Sequence, residues 1–500
     1  MTSNASFALT PAMRRASRSR TFAGAITLLA LLTLAVDLVW LVMAPQLFML
    51  QLPLLLGAVF LLLFFGLGYF LNPPEWTGAF LMALLYLAQD FTLRQGLVGG
   101  GGVDLQSLVK GGIAALLMGY GLFNGVTRVA RQPVLLLLFA YASFGLLSAS
   151  YSSARALGIG SGIALLGIAF ATARAATMTQ KDLKAYWYGL YIVAAGLCVS
   201  SFILLGTVPL MARDLADPGA YRLRGLTGSA NSLGPIMALG VIAGLMMIKQ
   251  AQPGWRKNLH RVLWVAMVAA LVLTNSRSSL LGLGLGLMAV AVVRRRQTIL
   301  TVLLILLSGA LFLTVVALPS LAKGVLSFFA ETLSRSGTTE ELTNLTGRSE
   351  IWQACWELIK EKPWHGYGLG SVRIEIPKVF YDEWGNTAAT AHNFVLESLI
   401  SVGVIGTSLL LAVVLISMFG LVRVVTQSQT LLDDDQREIA LCALRCMFML
   451  LIHAMVERAF AGMAAPSTVL LGVCVATYAF FALQRSQQEQ VRTQRVMSLR

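Results

Sequence analysis

Apolar residues run in long blocks separated by short polar or basic connections, with none of the alternation that marks half-buried strands. A block of roughly 16 to 25 such residues makes a helix long enough to cross a hydrocarbon core of about 30 Å. Blocks near 22–44, 52–71, 76–91, 109–127, 134–149, 157–175, 185–206, 231–249, 262–274, 279–293, 298–318, 394–422, 439–457 and 466–483 predict fourteen spans. Several are short, 262–274 most of all, so twelve is the competing number, and removing a pair keeps both termini on one side. The predicted class is an all-α polytopic membrane protein with 12 to 14 transmembrane helices. The organisation that follows is a tail at 1–21, a bundle over 22–318 with a connection at 207–230, a large loop at 319–393, three helices within 394–483 and a tail at 484–500.

Composition agrees, with 57% hydrophobic and 12% charged residues against about half and about a quarter in soluble domains. The 38 Lys and Arg against 23 Asp and Glu leave +15, and their placement decides what that means. With the basic N-tail (Arg14, Arg15, Arg18, Arg20) in the cytoplasm, the cytoplasmic connections also hold Arg128, Arg131, Lys249, Arg256, Lys257, Arg261 and Arg294 to Arg296. The excess therefore reads as positive-inside topology, and nucleic-acid binding is not implied. The apolar run after the tail reaches Ala44, too long for a signal-peptide core, and is expected to stay as the first span. Both termini are then cytoplasmic, and 207–230, 319–393 and a tight turn around Arg277 face outward. The acidic run Asp433 to Asp435 and the polar C-tail read as ordinary solvated segments.

Four outward segments carry candidate chemistry. Arg222 and Arg224 precede Gly225, Thr227, Gly228 and Ser229 at the mouth of the next span. Guanidinium forks and a Gly-rich turn into a helix N-terminus suit phosphate, while a capping loop with headgroup-level arginines is the plain alternative. Arg277 lies in a polar island, 274–279, and either meets an anion or snorkels to the interface. In the long loop, Ile351, Trp352, Cys355, Leu358 and Ile359 form the stripe of an amphipathic helix expected to lie on the membrane surface. Arg348 falls at its start, where the dipole disfavours a cation unless an anion sits there. His392 enters the next span from outside, and a neutral imidazole there is either a general base or interfacial decoration. Glu397, five residues on, is off its helical face.

Phosphate-loop, HExxH and Cys/His metal spacings are missing from the sequence, so no metal or other cofactor is expected. The ordered set RLRGLTGSAN at 222–231, SRSSLLG at 276–282, TGR at 346–348 with PWHGYGLGS downstream, and HNFVLESLISVGVIG at 392–406 resembles the bacterial O-antigen ligase family. That family lies within a superfamily that includes O-antigen polymerases and protein O-oligosaccharyltransferases. The resemblance implies an inverting glycosyltransferase of C-type character in the bacterial inner membrane. About twelve spans and one large periplasmic loop are implied with it, as is a periplasmic active site that works without metal or ATP. Its donor would be O-antigen on undecaprenyl diphosphate, and its acceptor a hydroxyl of the lipid A-core oligosaccharide. By position, Arg224, with Arg222 beside it, and Arg277 and Arg348 match arginines expected at the diphosphate, and His392 matches the histidine expected to take or orient the acceptor hydroxyl. An O-antigen polymerase, a protein O-oligosaccharyltransferase and, more remotely, a lipid-linked oligosaccharide transporter are the competing functions.

Overall fold

The computed structural model describes residues 77–90, 105–123, 132–214, 221–294, 348–381, 388–427 and 432–498. They fold as α1 (Thr77–Asp90), α2 (Leu105–Phe123), α3 (Pro133–Ser148), α4 (Arg155–Thr177), α5 (Gln180–Thr207), the single turn α6 (Pro209–Ala212), α7 (Ala230–Gln250), α8 (Trp255–Thr274) and α9 (Arg277–Arg294). After these come α10 (Arg348–Glu361), α11 (Val372–Val379), α12 (Phe394–Gln427), α13 (Asp434–Ala454) and α14 (Pro466–Ser498). Among the described residues the only extended pairing is an isolated antiparallel bridge between Arg213 and Leu223.

Six of these helices, α4, α5, α7, α8, α12 and α14, are long and apolar enough to cross a membrane, and α1, α3 and α9 are shorter apolar helices. The helical polytopic class is thus as expected. The expected spans at 22–44, 52–71 and 298–318 lie outside the described residues. Expected 262–274 is longer than its hydropathy suggested: α8 begins at Trp255, because the basic turn Arg256, Lys257, Arg261 is still helical. The polar segment 484–500 is helical to Ser498, since its Gln-, Arg- and Glu-rich residues carry good helix propensity.

α5 runs through the interior with Trp187, Tyr191 and Ile192 fully buried, as a helix apolar on all sides requires. A capping box of Thr179 and Asp182 starts it. Asp433 starts α13 in the same way, and Asp435 and Glu438 pair with Lys184 (3.4 Å) and Lys249 (2.7 Å). The acidic run expected to be merely solvated is therefore a cap and a tie from α13 to α5 and α7. α9 lies close along α13: a Cβ at Gly282 would stand 3.0 Å from the Met449 carbonyl oxygen, and one at Gly286 3.1 Å from that of Arg445. This contact sets the first turn of α9, with Arg277, beside the last turn of α13.

The amphipathic helix is α10, with the predicted stripe buried and Glu350, Gln353 and Glu357 exposed. Its apolar face does not lie on the membrane surface as expected. Ile351, Trp352, Cys355, Leu358 and Ile359 pack instead on Tyr367, Val372, Ile376, Leu396 and Ile400, a protein surface that removes the same apolar area from water.

α12 is broken at Gly403 (φ 62°, ψ −169°), and the chain 363–368 fills the break. The Val404 and Ile405 amides donate to the carbonyls of Pro363 (2.8 Å) and Trp364 (3.2 Å), and those of Tyr367 and Gly368 donate to Ile400 (2.7 Å) and Ser401 (2.8 Å). Four backbone groups at the kink thereby find partners, as irregular backbone near a bilayer requires. The stretch 404–427 alone rises about 36 Å at 1.5 Å per residue, more than a hydrocarbon core of ~30 Å. Gly403→Ala would place a Cβ 2.3 Å from the Trp364 carbonyl at a positive φ. It is expected to cost about 2 kcal/mol or more, read as a lower midpoint in thermal unfolding of the detergent-solubilised protein; an unchanged midpoint would show that the break tolerates a side chain.

Candidate active site

The ends of α7, α10, α12 and α13 meet at one carboxylate, Glu457, in the connection 455–465. Its Oε1 accepts from Arg348 Nη2 (2.7 Å) and Asn231 Nδ2 (2.9 Å), and its Oε2 bonds His392 Nδ1 (3.0 Å). Arg222 Nη2 donates to Asn231 Oδ1, and Arg222 Nε to the Thr274 carbonyl (3.1 Å). Asn231 and Glu457, more than two hundred residues apart in sequence, are thereby joined side chain to side chain.

Glu457 is 8% exposed. Burial alone would raise its carboxyl, but the His392 hydrogen bond and the charges of Arg348, His392 and His453 outweigh burial and bring it down to about 2. The group is therefore a carboxylate at any physiological pH. It is also the anion that Arg348 needs at the first position of α10: the charge mismatch with the helix dipole is met by a side chain of the same protein.

His392 is one of two non-glycine residues with positive φ (48°) among the described residues. Left-handed backbone costs a β-substituted residue about 1–2 kcal/mol, and the flanking residues hold it there. The Ala391 amide donates to Glu397 Oε2 (2.8 Å), and the Trp352 indole N–H donates to the Ala391 carbonyl (2.9 Å). Asn393 Oδ1 caps α12 by accepting from the Val395 (2.9 Å) and Leu396 (3.1 Å) amides, while its Nδ2 donates to the Met455 carbonyl (3.1 Å). One asparagine thus fixes the distance between the His392 turn and the strap that carries Glu457. Glu397 serves the backbone beside His392, and the carboxylate on the imidazole is Glu457.

An ionised Glu457 accepts only, so the hydrogen on this bond belongs to His392 Nδ1. In the neutral imidazole Nε2 then carries the lone pair. The histidine is 35% exposed at its side chain, open to a reactant.

The two neighbouring arginines part company. Arg222 is buried and joins Asn231, whereas Arg224 is half-buried and its Nε donates to the Met211 carbonyl (3.2 Å). The Gly- and Ser-rich stretch between them and α7 is a capping loop: Asp214 Oδ2 accepts from the Ala230 amide (2.8 Å) and Ser229 Oγ from that of Ser232 (3.2 Å). Anion binding in this region would rest on the guanidinium groups. Arg277, half-buried, opens α9 next to the cluster. Sequence reasoning missed Glu457 and Asn231. A carboxylate at the outward end of the predicted span 439–457 was the available signal for the first.

Residues 262–411 match the family model described as O-Antigen ligase. The resemblance to that family is borne out. Arg277, Arg348 and His392 fall inside the matched O-antigen ligase region, while Arg222, Asn231 and Glu457 lie outside it and complete the cluster from both sides. A curated relative, the "Exopolysaccharide production protein ExoQ" of Rhizobium meliloti (strain 1021), is 24% identical over 367 residues, covering 69% of this chain and 79% of the relative. Together these similarities support a membrane glycosyltransferase-like role of the kind found in the O-antigen ligase and polymerase superfamily.

Proposed function

We propose that this protein is an inverting glycosyltransferase of the bacterial inner membrane. Working on the periplasmic face, it would move O-antigen polysaccharide from undecaprenyl diphosphate to a hydroxyl of lipid A-core oligosaccharide, without metal or ATP. The observation that carries the reading is the Glu457 cluster, which sets an imidazole with an available Nε2 beside guanidinium groups. In the reaction, Nε2 of His392 takes the acceptor's hydroxyl proton as that oxygen bonds the anomeric carbon. The bond from that carbon to the diphosphate breaks on the opposite side, and its electron pair leaves with undecaprenyl diphosphate. Arg222, Arg224, Arg277 and Arg348 stabilise the charge that builds on the leaving oxygens, the task a divalent cation performs elsewhere. Glu457 cancels one of those cationic charges and leaves the cluster positive overall, as an anionic leaving group demands.

The test is reconstitution. Purified full-length protein, lipid-linked O-antigen and rough lipopolysaccharide, with chelator and no nucleotide, should give a banded ladder on the acceptor. Strict dependence on ATP or a divalent metal would overturn the reading. A second reading, polymerisation of lipid-linked repeats, is compatible with a relative named for exopolysaccharide production. It predicts elongation of lipid-linked repeats in the same assay with no acceptor lipopolysaccharide.

A further inference from the structure

A second histidine lies behind the cluster. His453, in the last turn of α13, is 3% exposed, four residues before Glu457, and within electrostatic reach of both Glu457 and Arg348. Its Nδ1 stands 3.5 Å from Ser279 Oγ, in the first turn of α9 two residues after Arg277. Ser279 Oγ is 2.9 Å from Ser276 Oγ, and the Ser276 amide donates to Thr274 Oγ1 (3.2 Å). The Thr274 carbonyl is the acceptor of Arg222 Nε, and Arg222 leads through Asn231 to Glu457. The contacts close a ring, completed by the single turn of chain from His453 to Glu457.

The ring is tightly enclosed. Ser276, Ser279 and Thr274 are 1%, 0% and 0% exposed, and a Cβ on Gly234 of α7 would come within 2.6 Å of Ser279 Oγ. A lone buried histidine in a helix is ordinarily a satisfied core residue. This one bonds the helix turn that carries Arg277 while its own turn carries Glu457.

The geometry points to His453 as a positioning residue that, through Ser279, holds the first turn of α9 and Arg277 in register with the Glu457 cluster and so sets affinity for the lipid diphosphate. The inference rests on the proposed function, because it takes Arg277 to bind the donor. Losing the link loosens the first turn of α9, beyond the close packing of Gly282 and Gly286 on α13, without touching His392, so the loss falls on diphosphate binding and leaves the base alone.

The test measures undecaprenyl diphosphate binding to the full-length protein in detergent, with kcat, KM and the pH profile of transfer alongside. His453→Ala and Ser279→Ala are each expected to weaken binding and raise donor KM by about tenfold, the size of one lost buried hydrogen bond. The double variant should be no weaker than either single one. His453→Asn, which keeps a hydrogen-bonding atom near the place of Nδ1, should recover most of the affinity, and the pH profile of kcat should be unchanged throughout. Independent, multiplying effects of the two alanine variants would overturn the inference, as would a displaced pH profile in His453→Ala, which would make His453 a proton carrier. If His453→Ala does not fold, Ser279→Ala decides alone: unchanged diphosphate affinity rejects the link. Wild-type protein that binds no undecaprenyl diphosphate would overturn the functional reading itself, an outcome distinct from wild-type and variants binding equally.

Discussion

Replacing His392 by alanine is expected to lower transfer by about 10²- to 10⁴-fold, the usual contribution of a positioned general base, while lipid-diphosphate binding stays near wild type. The structure motivates both halves. Nδ1 is committed to Glu457 at 3.0 Å, which leaves Nε2 as the acceptor, whereas Arg348 and Arg222 reach Glu457 and Asn231 without the imidazole. The measurement is single-turnover transfer at saturating donor together with binding of undecaprenyl diphosphate. A variant that binds poorly but transfers normally once saturated would move His392 from chemistry to substrate binding.

Glu457→Gln is expected to lower transfer by a comparable factor, though the side chain is nearly isosteric. Arg348 and Asn231 both donate to Oε1, so the single amide oxygen must face them. The amide nitrogen then faces His392 Nδ1 and donates to it. Nδ1 becomes the acceptor, the proton moves to Nε2, and the base loses its lone pair; a wrong tautomer of this kind has cost a serine protease about 10⁴ in kcat. The variant also changes acid stability. Glu457 is held down at about 2 from its ordinary 4.5, so its stabilisation is complete above about 4.5 and lost as pH falls through about 2. Wild-type protein should therefore lose stability over that window more steeply than Glu457→Gln, by an amount on the order of a few kcal/mol. Parallel acid-unfolding curves, or near-normal transfer by the variant, would show that the carboxylate does not govern the histidine.

The helical class and most helix positions were legible in the sequence, because a bilayer leaves its length requirement in the hydropathy. The stripe from Ile351 to Ile359 was equally legible as an amphipathic helix, but periodicity says only that one face is apolar. Whether lipid or protein covers that face depends on Tyr367, Ile376 and Ile400, which no local pattern connects to it. The site divides the same way. Arg222, Arg277, Arg348 and His392 were visible as costly or reactive residues on the outward side. Which carboxylate serves the histidine was not, since Glu397 is near in sequence and turns to the Ala391 amide, and Glu457 is 65 residues away and turns to the imidazole. Nor did hydropathy expose the break at Gly403, where an unbroken apolar run hides a residue of φ 62°.

Glu457 is also the last of its set to leave the ribosome. Arg222, Asn231, Arg348 and His392 are all synthesised before the carboxylate that neutralises and orients them, and α14 is still to come. Until α13 is inserted and the strap after it is in place, Arg348 lacks its counter-charge and His392 has no carboxylate to fix its tautomer. A nascent chain, or one truncated before Glu457, therefore carries most of the named side chains yet no assembled centre, so the cluster forms only once α13 and the strap after it are in place.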